Sequence, residues 1–485
     1  MNPSIILACF VLYSALLFFI TWLTSRNATN ETYFTGNKSS KWYIVAYGMI
    51  GASLSGVTFM SVPGWVGSTQ FSYMVIVVGY LFGYAVIATV LMPMYYRLQL
   101  TSIYAYLEQR FGFWSYKTGA FFFIISRIIG ASFRMFLVVD VLQKFVLDSW
   151  HIPFALTVAI FIILILLYTY KGGIKTIVWT DTLQTTFMLL GVFLSIVIIM
   201  HKLNFSISGM LSAVGNSGFS KIIFSDWHDK HFFVKDFFSG MFISIVMTGL
   251  DQEMMQKNLS CKNLKEAQKN MFTFSFVLVI VNLLFLYLGA VLYLYAKHQS
   301  IAIPNNTDML FPTIAINYLG PFAGLVFVIG LISAAYPSAD AALTALTTSF
   351  CIDFLGFQKN NFSDEKKKER LRYTVHIGFA IILLITIVVF RAINDQAVIQ
   401  KLFSIAGYTY GPLLGLYAFG LFMKRQVKDK GVPFICLASP LLCYIISENS
   451  EKLLNGYKFG FEILILNGLF TFCGLLFLSR RKKVV

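Results

Sequence analysis

With 485 residues, 57% of them hydrophobic and 12% charged against about 25% charged in ordinary soluble domains, the chain has too little polar surface to be solvated as a globular protein. It reads as an all-α integral membrane protein. The net charge of +16 does not argue for nucleic acid, since Lys and Arg gather at the ends of apolar runs, and no nucleotide loop, metal-ligand spacing or nucleophile motif argues for an enzyme.

Apolar stretches of about 20 residues predict thirteen spans: 4–23, 44–66, 72–97, 117–147, 151–170, 177–200, 236–257, 270–296, 320–350, 371–391, 398–423, 433–448 and 459–479. The first has no positive residue before it and Arg26 after it, the reverse of a cleavable signal, so it is expected to be retained. The second reads Met49-Ile-Gly-Ala-Ser-Leu-Ser-Gly-Val-Thr-Phe-Met-Ser-Val-Pro-Gly64, where glycines and hydroxyl residues make unwinding easy. Tyr73 and Gln70 near the outer end of the third, with Phe59 and Met60 on the second, are read first as packing or lipid contacts and otherwise as pocket lining.

The fourth span holds Arg134 within Gly130-Ala-Ser-Phe-Arg-Met-Phe136, too deep to snorkel to water. A guanidinium there offers a planar fork suited to a carboxylate; the alternative is pairing with Asp140 or Asp340. Arg127 and Lys144 read as anchors nearer the membrane faces. Asp181 follows in Lys171-Gly-Gly-Ile-Lys-Thr-Ile-Val-Trp-Thr-Asp181, with a helix-to-helix hydrogen bond as its alternative role. Between spans six and seven, His228 and His231 stand three apart without further ligands and read as solvated loop. The seventh span carries Ile245-Val-Met-Thr-Gly-Leu-Asp-Gln252, a second helix-breaking segment. In the ninth, Asp340 lies in Ser333-Ala-Ala-Tyr-Pro-Ser-Ala-Asp340. An ionised carboxylate at the bilayer centre costs about 2.5–3.5 kcal/mol on insertion scales, so Asp181 and Asp340 together point to cation-coupled transport. The six cysteines show no metal or disulfide spacing and read as packing residues.

Placing the amino terminus outside and the carboxyl terminus in the cytoplasm puts most of the 38 Lys and Arg on the cytoplasmic side, as the positive-inside bias requires. The two breakable spans stand five apart. Discontinuous helices at matching places point to two repeats in opposite orientation with the binding site between them. The chain is thus read as one transporter domain, 1–485, with a leading helix 4–23, a first inverted repeat 44–200, a second 236–423 and trailing helices 433–479.

Four motifs taken in order carry a resemblance. They are Tyr104 with Leu107-Glu-Gln-Arg-Phe111; Gly172-Gly-Ile-Lys175 with Trp179-Thr-Asp181 and Gln184; Asp251-Gln-Glu-Met-Met-Gln256 with Leu259, Lys262 and Ala267; and Tyr410-Gly-Pro-Leu-Leu-Gly415. On these the chain resembles the sodium:solute symporter family, and its sialic acid branch more than its hexose branch. The resemblance implies a LeuT-like 5+5 inverted-repeat core and sodium as coupling ion. It places the main sodium ligands at Gly51, Leu54, Ala334, position 337 and Ser338, and a second cation site at Asp181 and Asp340. Pro337 departs from the family's usual serine, which removes one hydroxyl ligand.

The resemblance also implies a substrate carboxylate on Arg134, with Ser55 and Thr58 beside it. Positions matching the hexose contacts are Thr58, Ser244, Met247 and Ser404, too poor in amides and carboxylates to read a ring of hydroxyls. The expectation is a secondary active transporter that couples sodium entry to uptake of a small polar solute, an organic anion such as a sialic acid. A proton-coupled carrier, a sugar symporter and a transport-silent membrane sensor are the alternatives. Its partners are the small-molecule substrate, sodium ions and the lipid bilayer of a cell (inner) membrane, with no nucleic acid and an oligomeric state that the sequence leaves open.

Overall fold

In lipid no water is at hand for backbone N–H and C=O groups, so an apolar chain satisfies them internally as helices. The computed structural model describes residues 3–24, 40–357, 365–393 and 398–480, and the side chains of Pro3, 168–176, Ser338 and Ile393 lie outside that description. Helix α1 runs Pro3–Thr24, followed by α2 Trp42–Ser53, α3 Gly56–Thr69, α4 Tyr73–Arg97, α5 Phe113–Phe145 and α6 Phe154–Lys202. The second half contains α7 Phe233–Gly249, α8 Gln252–Leu259, α9 Leu264–His298, α10 Leu310–Asn317, α11 Pro321–Ser349, α12 Glu365–Ile393 and α13 Val398–Phe422. Helices α14 Val432–Glu448 and α15 Ile463–Leu478 close the chain. The one β-ribbon among the described residues joins Gln426–Val427 to Ser479–Arg480.

Both expected breaks occur. Helices α2 and α3 form one span bent by 56°, and α7 and α8 one bent by 65°. Among the described residues eight helices are long and apolar enough to cross a membrane, or ten if each bent pair counts as one span. Length and composition alone therefore fall short of the thirteen predicted spans.

Part of the shortfall lies in α6, whose backbone is helical through the two spans predicted at 151–170 and 177–200. Ring contacts of 5.4, 6.3 and 5.8 Å link Phe161 to Tyr336, Tyr336 to Tyr13 and Tyr13 to Phe187. That path is far shorter than the ~39 Å that the intervening residues would rise in a straight helix. The stretch is therefore not one straight helix, and Gly172-Gly173 lies between its two apolar halves.

Small residues let the spans approach closely. A Cβ on Gly240 of α7 would stand 2.0 Å from the Ile76 carbonyl oxygen of α4, and one on Gly79 would stand 2.2 Å from that of Phe237. The trailing helices are tied on by Asn467 of α15, whose Nδ2 donates to the carbonyls of Gly407 (3.0 Å) and Tyr408 (2.9 Å) on α13.

Candidate functional site

The segment Gly51-Ala-Ser-Leu-Ser-Gly56 offers glycines and serines where a helix needs strong formers, and the chain leaves helical geometry there. Leu54 (φ −90°, ψ 91°) and Ser55 (φ −91°, ψ −177°) are extended. Gly56 then lets α3 begin hard against α5, since a Cβ there would lie 2.6 Å from Val138 Cγ2. At the other break Leu250 and Asp251 are the unwound residues.

The two breaks are finished differently. At the second, Tyr95 Oη donates to the Gly249 carbonyl (2.8 Å) and Tyr104 Oη to that of Leu250 (2.9 Å). Asp251 caps α8 by accepting from the backbone N–H groups of Glu253 (2.9 Å) and Met254 (3.3 Å). At the first, no side chain among the described residues donates to the carbonyls of Gly51, Ala52, Ser53 or Leu54, and the Ser55 side chain does not cap α3. Bare carbonyls on one side and uncapped N–H groups on the other give this break places for a cation and an anion.

Beside it lies a partly open cavity of about 80 Å³. Ser55 and Thr58 come from the break and α3, Tyr73, Tyr80 and Tyr84 from α4, and Arg127 and Arg134 from α5. Ser244, Met247 and Thr248 on α7, Asn282 on α9 and Phe403 on α13 complete it. Four of the five residues expected to meet substrate, Ser55, Thr58, Arg134 and Ser244, thus share one cavity. Ser404 does not line it; its neighbours Leu402 and Phe403 do, so helical phase on α13 turns the serine aside. Tyr73 lines the cavity, whereas Phe59 packs against Phe285, Phe311 and Phe327.

The two arginines differ in their partners. Arg127, expected as a membrane-face anchor, is 3% exposed and pairs with Glu253 and with Asp251 (3.7 Å). Tyr410 Oη donates to the same Asp251 carboxylate (2.7 Å). Arg134 has no ion pair among the described residues, and its Nε has no hydrogen-bond partner. Asp140, its suggested partner, pairs instead with Lys144 one turn away (2.7 Å). An unpaired guanidinium in a buried cavity is a place for an anion.

The expected cation ligands divide. Gly51 ends α2 against α6, where a Cβ would meet Thr185 Oγ1 at 2.1 Å, and Leu54 is at the break itself. Ala334 is buried in α11, and the Ser338 side chain lies outside the described residues. Asp340 is buried and its Oδ1 accepts the Ala341 N–H at 2.5 Å. Asp181 is the departure: Lys257 of α8 is seated on its Oδ2 at 2.6 Å, with side-chain exposures of 1% and 0%. A span drawn to end at 257 assigns this lysine to the cytoplasmic edge. The nearby acid Glu253, one turn before it, is the sequence signal that its surroundings are buried.

A loop residue that sequence reasoning passed over ties the segment before α10 to the start of α13. Asp308, between α9 and α10, is fully buried and its Oδ2 accepts the N–H of Val398 at the start of α13 (3.0 Å). Burial pushes its carboxyl up to about 6 against the opposing pull of its donors.

A family model described as the sodium:solute symporter family matches residues 33–432. The chain belongs to the sodium:solute symporter family. It is 24% identical over 422 residues to the sodium/sialic acid symporter SiaT of Proteus mirabilis, covering 85% of this chain and 83% of that protein. It is 23% identical to the sodium/sialic acid symporter NanT of Aliivibrio fischeri over 86% and 83% of the two chains. To sodium-coupled monocarboxylate transporter 2 of Danio rerio it is 26% identical over 86% and 67%. Among solved structures, a substrate-bound outward-open state of a Na+-coupled sialic acid symporter superposes with a TM-score of 0.82 at 20% identity, covering 99% of each chain. Mhp1, a nucleobase-cation-symport-1 family transporter in a closed conformation, gives 0.53 at 12% identity over 93% and 94%. The symporter therefore has the expected LeuT-like fold. It is a multi-pass membrane transporter that couples sodium entry to movement of a small solute.

Proposed function

We propose that this symporter takes up a small organic monoanion, such as a sialic acid or a shorter monocarboxylate. Its carboxylate lies between Arg134 and the open N-terminus of α3, and Ser55, Thr58 and Ser244 meet its polar body. The observation that carries this reading is Arg134: one buried cavity guanidinium without an acid partner, where Arg127 is already served. The names of the similar sialic acid and monocarboxylate carriers agree with it.

Sodium binds the bare carbonyls of Gly51 and Leu54 with Ala334 and Ser338 of α11. Ion and solute each raise the other's affinity by the same factor, which is the condition for coupling. Asp181, held by Lys257, is not free to share a proton with Asp340, which disfavours the proton-linked alternative. The repeats run 44–200 and 236–423 between the leading helix 4–23 and the trailing pair 433–479. The amino terminus faces outside, the carboxyl terminus the cytoplasm, and the chain is a carrier rather than an enzyme.

Proteoliposomes loaded by an inward sodium gradient test the substrate class. A labelled sialic acid or short monocarboxylate is expected to accumulate, while its methyl ester and a neutral hexose do not. Ester uptake equal to that of the free acid refutes the anion reading.

A further inference from the structure

The buried charges around α8 form a connected set that the substrate reading does not use. From the cavity inward, Arg127 of α5 meets Asp251 and Glu253, Glu253 stands 3.9 Å from Lys257, and Lys257 bonds Asp181 of α6. Gly48 of α2 brings the acid close to the sodium-binding break, its Cβ position lying 3.2 Å from Asp181 Cβ.

We propose that Lys257 is a resident cation at Asp181, holding the place that the sequence assigns to a second sodium and leaving one sodium, at the first break, as coupling ion. A hard metal cation needs a shell of several oxygens, whereas an ammonium is satisfied by three acceptors. The turn of α11 that would help Asp181 and Asp340 make such a shell carries Ala341, which has no hydroxyl. Lysine is present where oxygens are short. Asp181 Oδ1 has no hydrogen-bond partner among the described residues, so removing Lys257 exposes both carboxylate oxygens.

Saturation binding of radioactive sodium to the purified protein reads the count directly. The wild type is expected to bind one sodium per chain, Lys257→Met two, Lys257→Arg one, and the double change Lys257→Met with Asp181→Asn one. A wild type that binds two, or a folded Lys257→Met that still binds one, overturns the proposal. Should Lys257→Met fail to fold, Asp181→Asn decides: one retained sodium supports the proposal and a lost sodium overturns it. The inference rests on the sodium site read at the first break, and the two fail differently. A wild type that binds no sodium sinks both, while one that binds two sinks only this inference.

Discussion

Replacing Arg134 by alanine removes a cavity cation that has no ion pair among the described residues, while leaving Ser55, Thr58 and the α3 N-terminus in place. A charge-assisted hydrogen bond contributes about 1.5–3 kcal/mol, and stripping a partner from a buried charged pair costs about 3–5 kcal/mol. Where the two ranges meet, near 3 kcal/mol, the apparent KM for a carboxylate rises about 100-fold. Arg134→Lys keeps the charge but loses the fork, so it recovers about half of that free energy and sits near a tenfold rise. The assay is initial-rate uptake of labelled carboxylate into proteoliposomes at fixed sodium gradient, with protein amount normalised by size-exclusion. Sodium binding by the alanine variant stays near the wild-type level, because Arg134 lies on α5 and not on the carbonyl side of the break. A KM within threefold of wild type in Arg134→Ala would refute the argument that this arginine holds the substrate.

Two further expectations concern stability. Asp308 has its carboxyl raised from 3.8 to about 6, so the folded state binds more protons than the unfolded one. Its contribution is complete below pH ~4 and is lost as pH rises through about 6, a penalty of up to about 3 kcal/mol at neutral pH. Asp308→Asn, which can still accept the Val398 N–H, is therefore expected to melt higher than wild type at pH 7.5 and equally near pH 3; identical melting at pH 7.5 counts against it. Tyr104→Phe leaves the buried Leu250 carbonyl without its 2.9 Å donor. That loss costs about 1–3 kcal/mol and should lower Tm by a few degrees, and an unchanged Tm would show that the break is not sealed by this hydroxyl.

Much of the architecture was legible because membrane solvation leaves few choices. Glycines and serines around Leu54 and Gly249 announce unwinding wherever a helix would otherwise continue. Arg134 was legible from depth alone, since nothing but a partner or a ligand excuses it there. Lys257 and Arg127 were not: Lys257 lies where a span boundary must be guessed, and the burial of both depends on how α5, α6 and α8 cross. Ser404 and Tyr73 turn on helical phase, which one sequence fixes only to within a residue or so. Asp308 was invisible for another reason: a loop acid reads as solvated until the fold carries it against Val398.

Because tyrosine hydroxyls complete the break at Leu250 while, among the described residues, no side chain donates to the carbonyls at Leu54, the two halves of the molecule are not energetic twins. One joint is sewn by the protein's own hydroxyls, and the other is left, on the function proposed above, for the ion to close. On that proposal the ion-free carrier is looser at this break, where heat or a protease gains purchase and from which sodium withdraws it.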